Sequence, residues 1–110
     1  MSIDSKDDEI FKALANGTRR RMLDAMRDAP QTTGALCVAF PDMDRCTVML
    51  HLKVLEGAGL VLVTREGRER WNHLNAMPIQ EIHDRWISQY AGHAMSVLTA
   101  MQAGMEGQAV

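Results

Sequence analysis

The stretch that decides the fold is DRCTVMLHLKVLEGAGL, residues 44–60. Asp44 predicts the start of a helix, because its carboxylate can accept a hydrogen bond from the free amides of the first turn. Gly57 and Gly59 predict the end of the same helix, because glycine readily adopts the positive φ with which a chain leaves a helix. The stretch therefore predicts one well-capped helix of about three turns.

This helix has an apolar side and a thin basic side. The apolar stripe follows the helical spacing i, i+4, i+7 and consists of Val48, Leu52 and Leu55. The opposite side carries Arg45, Cys46, Met49, Leu50 and Lys53. A helix anchored at its back, with cations on its front, has the shape that enters a DNA major groove. Taken alone it is better explained as a core helix with a solvated face, so the flanking segments decide.

Composition indicates a single globular domain. The chain has 110 residues, of which slightly under half are apolar and a quarter are charged. The formal net charge of −2 does not indicate a nucleic-acid binder, but residues 45–70 hold five cationic side chains against three acidic ones. We find no secretory signal and no apolar run that could span a membrane. We therefore expect a cytoplasmic protein with no membrane partner.

Three helices are predicted before residue 44. Ser5 caps the first, which runs to about residue 15, and Asn16 caps the second, at about residues 18–27. Thr32 or Thr33 caps the third, which ends near residue 40. The third helix, a short connection and the helix that follows Asp44 make a helix-turn-helix at about residues 32–57.

Three cations crowd the first turn of the second helix, where the helix dipole disfavours positive charge. They are Arg19, Arg20 and Arg21. Two explanations stay open. The cations pair with Asp24 or with the acidic first helix, or they contact phosphate.

A β-hairpin follows the helix-turn-helix. Residues 60–65 and 69–74 are rich in strand-forming residues, and the turn between them contains glycine. A hairpin directly behind a helix-turn-helix is a wing, at about residues 60–74. Arg65 and Arg68 near its tip would suit a minor groove or the flanking phosphates.

The last predicted element is a long helix at about residues 78–103, with Pro78 in its first turn. Apolar residues follow helical spacing along it: Ile79, Ile82, Trp86, Tyr90, Val97, Leu98 and Met101. So small a domain cannot cover that much apolar surface. The surplus predicts a partner, and the simplest partner is a second copy of the chain.

Several motifs in order resemble the ArsR/SmtB-type family of winged-helix repressors. They are FKALAN at 11–16, TRRR at 18–21, HLKVLE at 51–56, AGLV at 58–61 and REGR at 65–68. The resemblance covers about residues 9–90. It implies a mainly α fold of four helices, a β-hairpin and a fifth helix, which dimerises through its first and last helices and represses its own promoter at a palindromic operator.

The interface that this resemblance implies would include Ile10, Phe11, Trp86, Tyr90 and Val97. The Trp86 and Tyr90 pattern is most similar to the branch of the family that lacks known metal sites. Such relatives are often encoded beside proteins of the Bet v1-like fold.

Neither metal site of the family is complete here. The arsenic and cadmium site uses a Cys-x-Cys motif, and this chain has only Cys37 at that place. The zinc site on the last helix is partly matched by Glu81 and His83, but His93 comes one residue early. One residue rotates a side chain by about 100° around a helix. We therefore expect no metal and no cofactor.

Cys46 has two interpretations. The simpler one is that it occupies a position where a Ser or Thr would contact phosphate. The alternative is a redox switch, because a helix N-terminus and Arg45 both lower a thiol pKa. Leu50 stands where many relatives carry a polar residue, and it can only touch a thymine methyl group or exclude water.

The sequence thus predicts a homodimeric, sequence-specific transcriptional repressor that binds double-stranded DNA and is not an enzyme, because no catalytic constellation stands out. The predicted DNA contacts are Thr32, Thr33, Arg45, Cys46, Thr47, Met49, Leu50, Lys53, Arg65 and Arg68. Two alternatives remain. One is a sensor of the same fold that responds to a metal or a small effector, and the other is a winged helix used only for protein contact.

Overall fold

The structure is a computed structural model that describes residues 2–108 of the chain. Its contacts divide the chain into two units, Met1–Ile79 and Gln80–Val110. Each unit is described by itself.

The first unit contains the helix-turn-helix and the wing. Its elements in chain order are α1 (Ile3–Leu14), α2 (Gly17–Ala25), β1 (Gln31–Thr32), α3 (Thr33–Ala39), α4 (Arg45–Gly57), β2 (Val61–Glu66) and β3 (Glu69–Leu74). The next helix, α5 (Met77–Ile82), contains the boundary between the units. Four helices followed by a hairpin confirm the predicted winged helix-turn-helix fold.

The helix α4 lies at the centre of the first unit, in contact with α2, α3 and β2. The predicted stripe of Val48, Leu52 and Leu55 is completely buried. Its neighbours in the core come from every other helix of the unit and from the start of the hairpin: Ile10, Ala13, Met22, Leu23, Met26, Leu36, Leu60 and Val61. Because the back of α4 is buried, its front is held in a fixed orientation.

The end of α4 is a Schellman motif. The amide of Gly59 donates to the carbonyl of Glu56 at 3.0 Å, and the amide of Leu60 donates to the carbonyl of Leu55 at 2.9 Å. Gly59 has φ +77°, the left-handed conformation that this motif requires. Leu55 and Leu60 are both buried, as expected for the apolar contact that accompanies the motif. The predicted end of the helix is therefore confirmed.

The N-terminal caps of two other helices are those predicted, and the cap of a third differs. Asn16 accepts a hydrogen bond from the Arg19 amide at 3.1 Å, and Thr32 accepts one from the Ala35 amide at 3.0 Å. The cap of α1 is Ser2 rather than Ser5, because the Ser2 hydroxyl accepts a hydrogen bond from the amide of Ser5 at 3.1 Å. The helix thus begins one turn earlier than predicted.

The sheet has three antiparallel strands in the order β1-β3-β2. The β2–β3 hairpin is the predicted wing. The two-residue strand β1 was not predicted, because two residues show no periodicity. It pairs Gln31 with Asn72 and Thr32 with Trp71. Asn72 is fully buried and donates from Nδ2 to the Gln31 carbonyl at 3.1 Å and to Thr33 Oγ1 at 3.2 Å, so one side chain links β3, β1 and α3.

The second unit is helical. A π-helical segment (His83–Ile87) follows α5 and leads into α6 (Ser88–Gln108). The prediction of one regular helix is therefore wrong in detail, because a π-helical turn holds an extra residue. Side chains after this segment are rotated relative to those of a straight α-helix. Along the part of the chain that the structure describes, no helix combines the length and the apolar character needed to cross a membrane.

Candidate nucleic-acid interface

The N-terminus of α4 is capped by Asp44. Its Oδ1 accepts a hydrogen bond from the Thr47 amide at 2.7 Å. The bond from the Thr47 backbone amide, and then one from the Thr47 hydroxyl, lower the pKa of Asp44 below its ordinary value. The carboxylate therefore stays ionised and holds the first turn, which carries Arg45 and Cys46, in place.

The front of α4 carries most of the predicted DNA contacts. Arg45, Cys46, Leu50 and Lys53 are exposed, and Thr47 and Met49 are half-buried. Leu50 leaves 64% of its surface exposed. Burying a leucine completely is worth about 1.5–3 kcal/mol, and within the chain Leu50 gains only a minor part of this.

A shallow groove runs along this front toward the wing. It has a volume of about 600 Å³, and it is lined by Arg45, Cys46, Met49, Leu50, Lys53, Glu56 and Arg70. The structure thus brings together five of the predicted DNA contacts and adds two residues that the sequence analysis missed, Glu56 and Arg70. Alternation along β3 places Arg70 and Asn72 on one face, but residue spacing does not indicate that this face meets α4.

An ion pair links the wing to α4. Arg70 Nη2 lies 2.8 Å from Glu56 Oε2, and the Arg70 side chain is mostly covered. Glu56 is nearly half exposed, so the pair contributes no more than about 1 kcal/mol to stability. Its consequence is geometric, because it ties the strand of the wing to the last turn of the helix.

The two faces of the wing differ in charge. Arg65 lies opposite Arg70 on the face that also carries Val61 and Asn72, whereas Glu66 lies opposite Glu69 on the other face. The turn between the strands is Gly67-Arg68, and Gly67 has φ +62°, which suits the first position of a tight hairpin turn. Arg68 is therefore presented at the tip, next to the basic face.

The two threonines at the start of α3 have different surroundings. Thr32 is half-buried, and its hydroxyl caps α3. Thr33 is only 2% exposed, and its hydroxyl accepts the hydrogen bond from Asn72. As a correction to our prediction, the Thr33 side chain belongs to the core and is not retained among the proposed DNA contacts.

Two of the three cations of α2 are held by the end of α1, whereas Arg21 donates from Nη2 to the Thr18 hydroxyl at 3.2 Å. Arg19 donates from Nε to the Ala13 carbonyl at 2.7 Å and from Nη2 to the Lys12 carbonyl at 3.0 Å, and Arg20 donates to the Leu14 carbonyl at 2.6 Å. These carbonyls form the negative end of the α1 dipole, which stabilises positive charge. The partners of Arg19 and Arg20 are thus backbone carbonyls, which the predicted pairing with acidic side chains did not include.

Arg19 also reaches α4. Its Nη1 lies 3.4 Å from Nδ1 of His51, a half-buried residue of that helix. Burial, and then the positive charge of Arg19, lower the pKa of His51 below its ordinary value of 6.5. The neutral form of His51 is therefore favoured at pH 7.

The second unit exposes most of its apolar side chains. The exposed large apolar residues of the π-helical segment and α6 are Trp86, Ile87, Tyr90, Met95, Val97, Leu98, Met101 and Met105. The rings of Trp86 and Tyr90 make an edge contact, with centroids 5.1 Å apart and planes at 70°.

Two predicted interface residues lie next to each other on α1. Phe11 is 38% exposed, whereas Ile10 is only 7% exposed. Ile10 is therefore already buried within the chain, and we assign it to the core rather than to an interface between copies. This corrects the prediction for Ile10.

Both cysteines are free thiols. Cys37 is half-buried on α3, and Cys46 is exposed in the first turn of α4. Across residues 2–108, no group of three His, Cys, Asp or Glu side chains is arranged to hold a metal ion.

These features define a winged helix-turn-helix domain. Two helices are joined by a short turn, and the second is buried at its back and cationic on its front. A hairpin with a basic face follows them. Residues 14–64 match the model of a family described as a helix-turn-helix domain.

Two bacterial regulators are similar in sequence. The helix-turn-helix-type transcriptional regulator YuzN of Bacillus subtilis is 35% identical over 86 residues, which cover 73% of this chain and 94% of YuzN. The transcriptional repressor SdpR of the same organism is 28% identical over 72 residues, which cover 66% of this chain and 79% of SdpR.

Solved structures agree with this assignment. The crystal structure of the ArsR family transcriptional regulator RHA00566 matches with a TM-score of 0.74 at 27% identity, covering 86% of this chain and 96% of that one. The homodimeric winged helix-turn-helix domain of Mb0332 from Mycobacterium bovis shares the fold, with a TM-score of 0.65 at 24% identity over 81% of this chain and 80% of that one. The chain belongs to the ArsR-type family of winged helix-turn-helix transcriptional regulators, and it is a DNA-binding regulator of transcription.

Proposed function

We propose that this regulator is a homodimeric repressor that binds a palindromic operator near its own promoter. The observation that carries the proposal is the front of α4, where Arg45 and Lys53 flank an exposed apolar centre. In a twofold dimer, two such helices would enter successive major grooves, about 34 Å apart.

The proposed DNA contacts follow from exposure and charge. Those on α4 lie over base edges and the flanking phosphates, and those on the wing and at the start of α3 contact the backbone or the minor groove. The contacts are Thr32, Arg45, Cys46, Thr47, Met49, Leu50, Lys53, Arg65 and Arg68. Arg70 positions the wing through Glu56.

A second copy would cover the exposed apolar side chains of α6 and of the α1 surface around Phe11. We propose Phe11, Trp86, Tyr90 and Val97 as members of this interface. The homodimeric state of the Mycobacterium bovis relative supports the proposal. In this scheme residues 32–57 bind DNA, residues 60–74 form the wing, and residues 78–103 dimerise.

Repression and location follow from the same scheme. SdpR is a repressor, which supports a repressor here. A protein that occupies a promoter acts in the cytoplasm of a bacterium, and it acts by excluding other proteins from DNA rather than by catalysis. A small effector that releases the protein from DNA is compatible with this scheme.

A gel shift with the DNA upstream of its own gene tests the proposal. We expect a discrete complex that resists excess random DNA, with two copies of the chain per duplex. The Arg45→Ala, Lys53→Ala double variant should lose this complex, whereas Lys6→Ala on α1 should retain it. If the wild-type chain binds the upstream DNA no better than random DNA, autorepression is wrong. If it binds no DNA at all, a winged helix used for protein contact becomes the better explanation.

A further inference from the structure

The centre of the groove along α4 lacks strong hydrogen-bonding groups. Between Arg45 and Lys53, the side chains that line the groove are Cys46, Met49 and Leu50. Leucine has no polar atom, and the sulfur atoms of methionine and cysteine are weak hydrogen-bonding groups. Glu56 could accept from a cytosine amino group, but it is engaged with Arg70 at 2.8 Å.

The two cations lie at opposite ends of this apolar centre. Arg45 and Lys53 are eight residues apart, which is about 12 Å along a helix, and both are exposed. When α4 lies in a major groove and the cations address the flanking phosphates, the apolar centre between them faces the base edges.

One base edge offers an apolar group in the major groove, and that group is the C5 methyl of thymine. We propose that Leu50, with Met49 and Cys46 beside it, reads thymine methyl groups at the centre of each operator half-site. This inference rests on the proposed function, because it needs the front of α4 in the major groove. It names the chemical feature that gives the site its specificity.

Contact with a methyl group would also explain the exposure of Leu50. An isolated leucine at 64% exposure is unremarkable on a protein surface. Here, however, it borders a groove between two cations and continues into Met49 and Cys46, so the apolar surface is contiguous. Closure of this surface over a thymine methyl group excludes water from both partners.

The test compares thymine with uracil, which differs only by that methyl group. The wild-type chain first selects its preferred duplex from random DNA, and thymines in each half-site are then replaced one at a time by deoxyuridine. We expect at least one position per half-site where affinity falls about fourfold, the factor associated with burying one methyl-sized group. Replacement by 5-bromodeoxyuridine, whose bromine fills the same space, should restore affinity.

Two variants assign the effect to α4. Leu50→Ala should bind the thymine duplex more weakly and should respond little to uracil at the same position. Leu62→Ala removes another exposed leucine, which lies on the face of the wing that also carries Glu66 and Glu69, and should keep the full uracil effect. Both side chains are exposed, so neither substitution removes core packing, and a melting curve for each variant checks this.

The outcomes separate the two proposals. A duplex with uracil in place of every half-site thymine is compared with the thymine duplex. If the wild-type chain binds both with equal affinity, this inference is overturned and the proposed function stands. A uracil effect that persists in Leu50→Ala would overturn the assignment to Leu50. If selection enriches no sequence, the proposed function and this inference fail together.

Discussion

At the scale of one residue, substitution of Lys53 tests whether its charge contacts a DNA phosphate. Its exposed ammonium group lies at the C-terminal end of the proposed contact face. Lys53→Ala should weaken binding to all DNA sequences and should reduce the slope of log affinity against log salt by about one unit, because one phosphate contact is lost. Fluorescence anisotropy at several salt concentrations measures this slope.

The control for Lys53 is Lys6→Ala, which removes an exposed cation from α1. Its affinity and salt slope should match those of the wild type. An unchanged slope in Lys53→Ala would remove Lys53 from the contact face.

His51 gives stability a pH dependence with a definite sign. Its folded pKa lies below the ordinary value of 6.5, so the unfolded chain binds its proton at a higher pH than the folded chain does. Between these two pKa values the unfolded state holds more protons, and the free energy of unfolding therefore falls as the pH falls through 6.5. We expect His51→Gln to flatten this part of the profile.

Urea unfolding of the wild type and of His51→Gln at one protein concentration, between about pH 7.5 and about pH 5.5, measures the difference. Val38→Gln, at an exposed position on α3, is the control, because it changes no titratable group and should leave the pH profile as it is. An identical pH profile for His51→Gln and the wild type would show that the folded pKa of His51 is not lowered.

At the scale of elements, the two glycines at the end of α4 have opposite roles, although they are only two residues apart. Gly57 is a helical residue, and a Cβ there meets no atom within 4 Å, whereas Gly59 has φ +77°. Gly59→Ala should destabilise the protein by about 1–2 kcal/mol, the cost of a left-handed conformation for a side chain with a Cβ. Gly57→Ala should stabilise it by about 0.5–1 kcal/mol.

Thermal melts of these two variants against the wild type decide between the roles. Destabilisation by both substitutions, or by neither, would contradict the Schellman motif described for α4. Gly59→Ala should also disturb the position of the wing, because β2 begins two residues after Gly59. Gly59→Ala is therefore expected to weaken DNA binding as well as stability.

Elements with a sequence signal of their own were predictable. The caps at Asn16, Thr32 and Asp44 and the end of α4 could be predicted, because each is a local hydrogen-bonding arrangement set by one or two side chains. The strand β1 and the π-helical segment were not predictable. The first depends on pairing with β3, which is 39–41 residues away along the chain, and the second changes helix geometry without a glycine or proline.

At the scale of the whole molecule, a substitution that prevents dimerisation should also weaken DNA binding. Val97 is 44% exposed on α6, and a charge there would be buried without a partner in the proposed interface. Val97→Asp should shift the protein to a monomer in sedimentation equilibrium and weaken operator binding by at least about tenfold, because the two half-sites are no longer bound by linked copies.

The matched control is Gln89→Asp, which places the same charge on an exposed polar position of α6. It should leave both the dimer and the operator affinity intact. A dimer that survives Val97→Asp would exclude Val97 from the interface, and a monomer that keeps full operator affinity would contradict the twofold mode of binding.

The sequence by itself determined the winged helix-turn-helix, the anchored back of α4 and the cationic residues on its front. Caps, helical periodicity and turn glycines are local, so they can be read without knowing what they pack against. Only the tertiary structure decided that Thr33 and Ile10 are buried, that Arg19 binds the end of α1, and that Glu56 joins Arg70 beside the groove. Each of these depends on atoms brought together from distant parts of the chain, and residue spacing does not encode which surfaces meet.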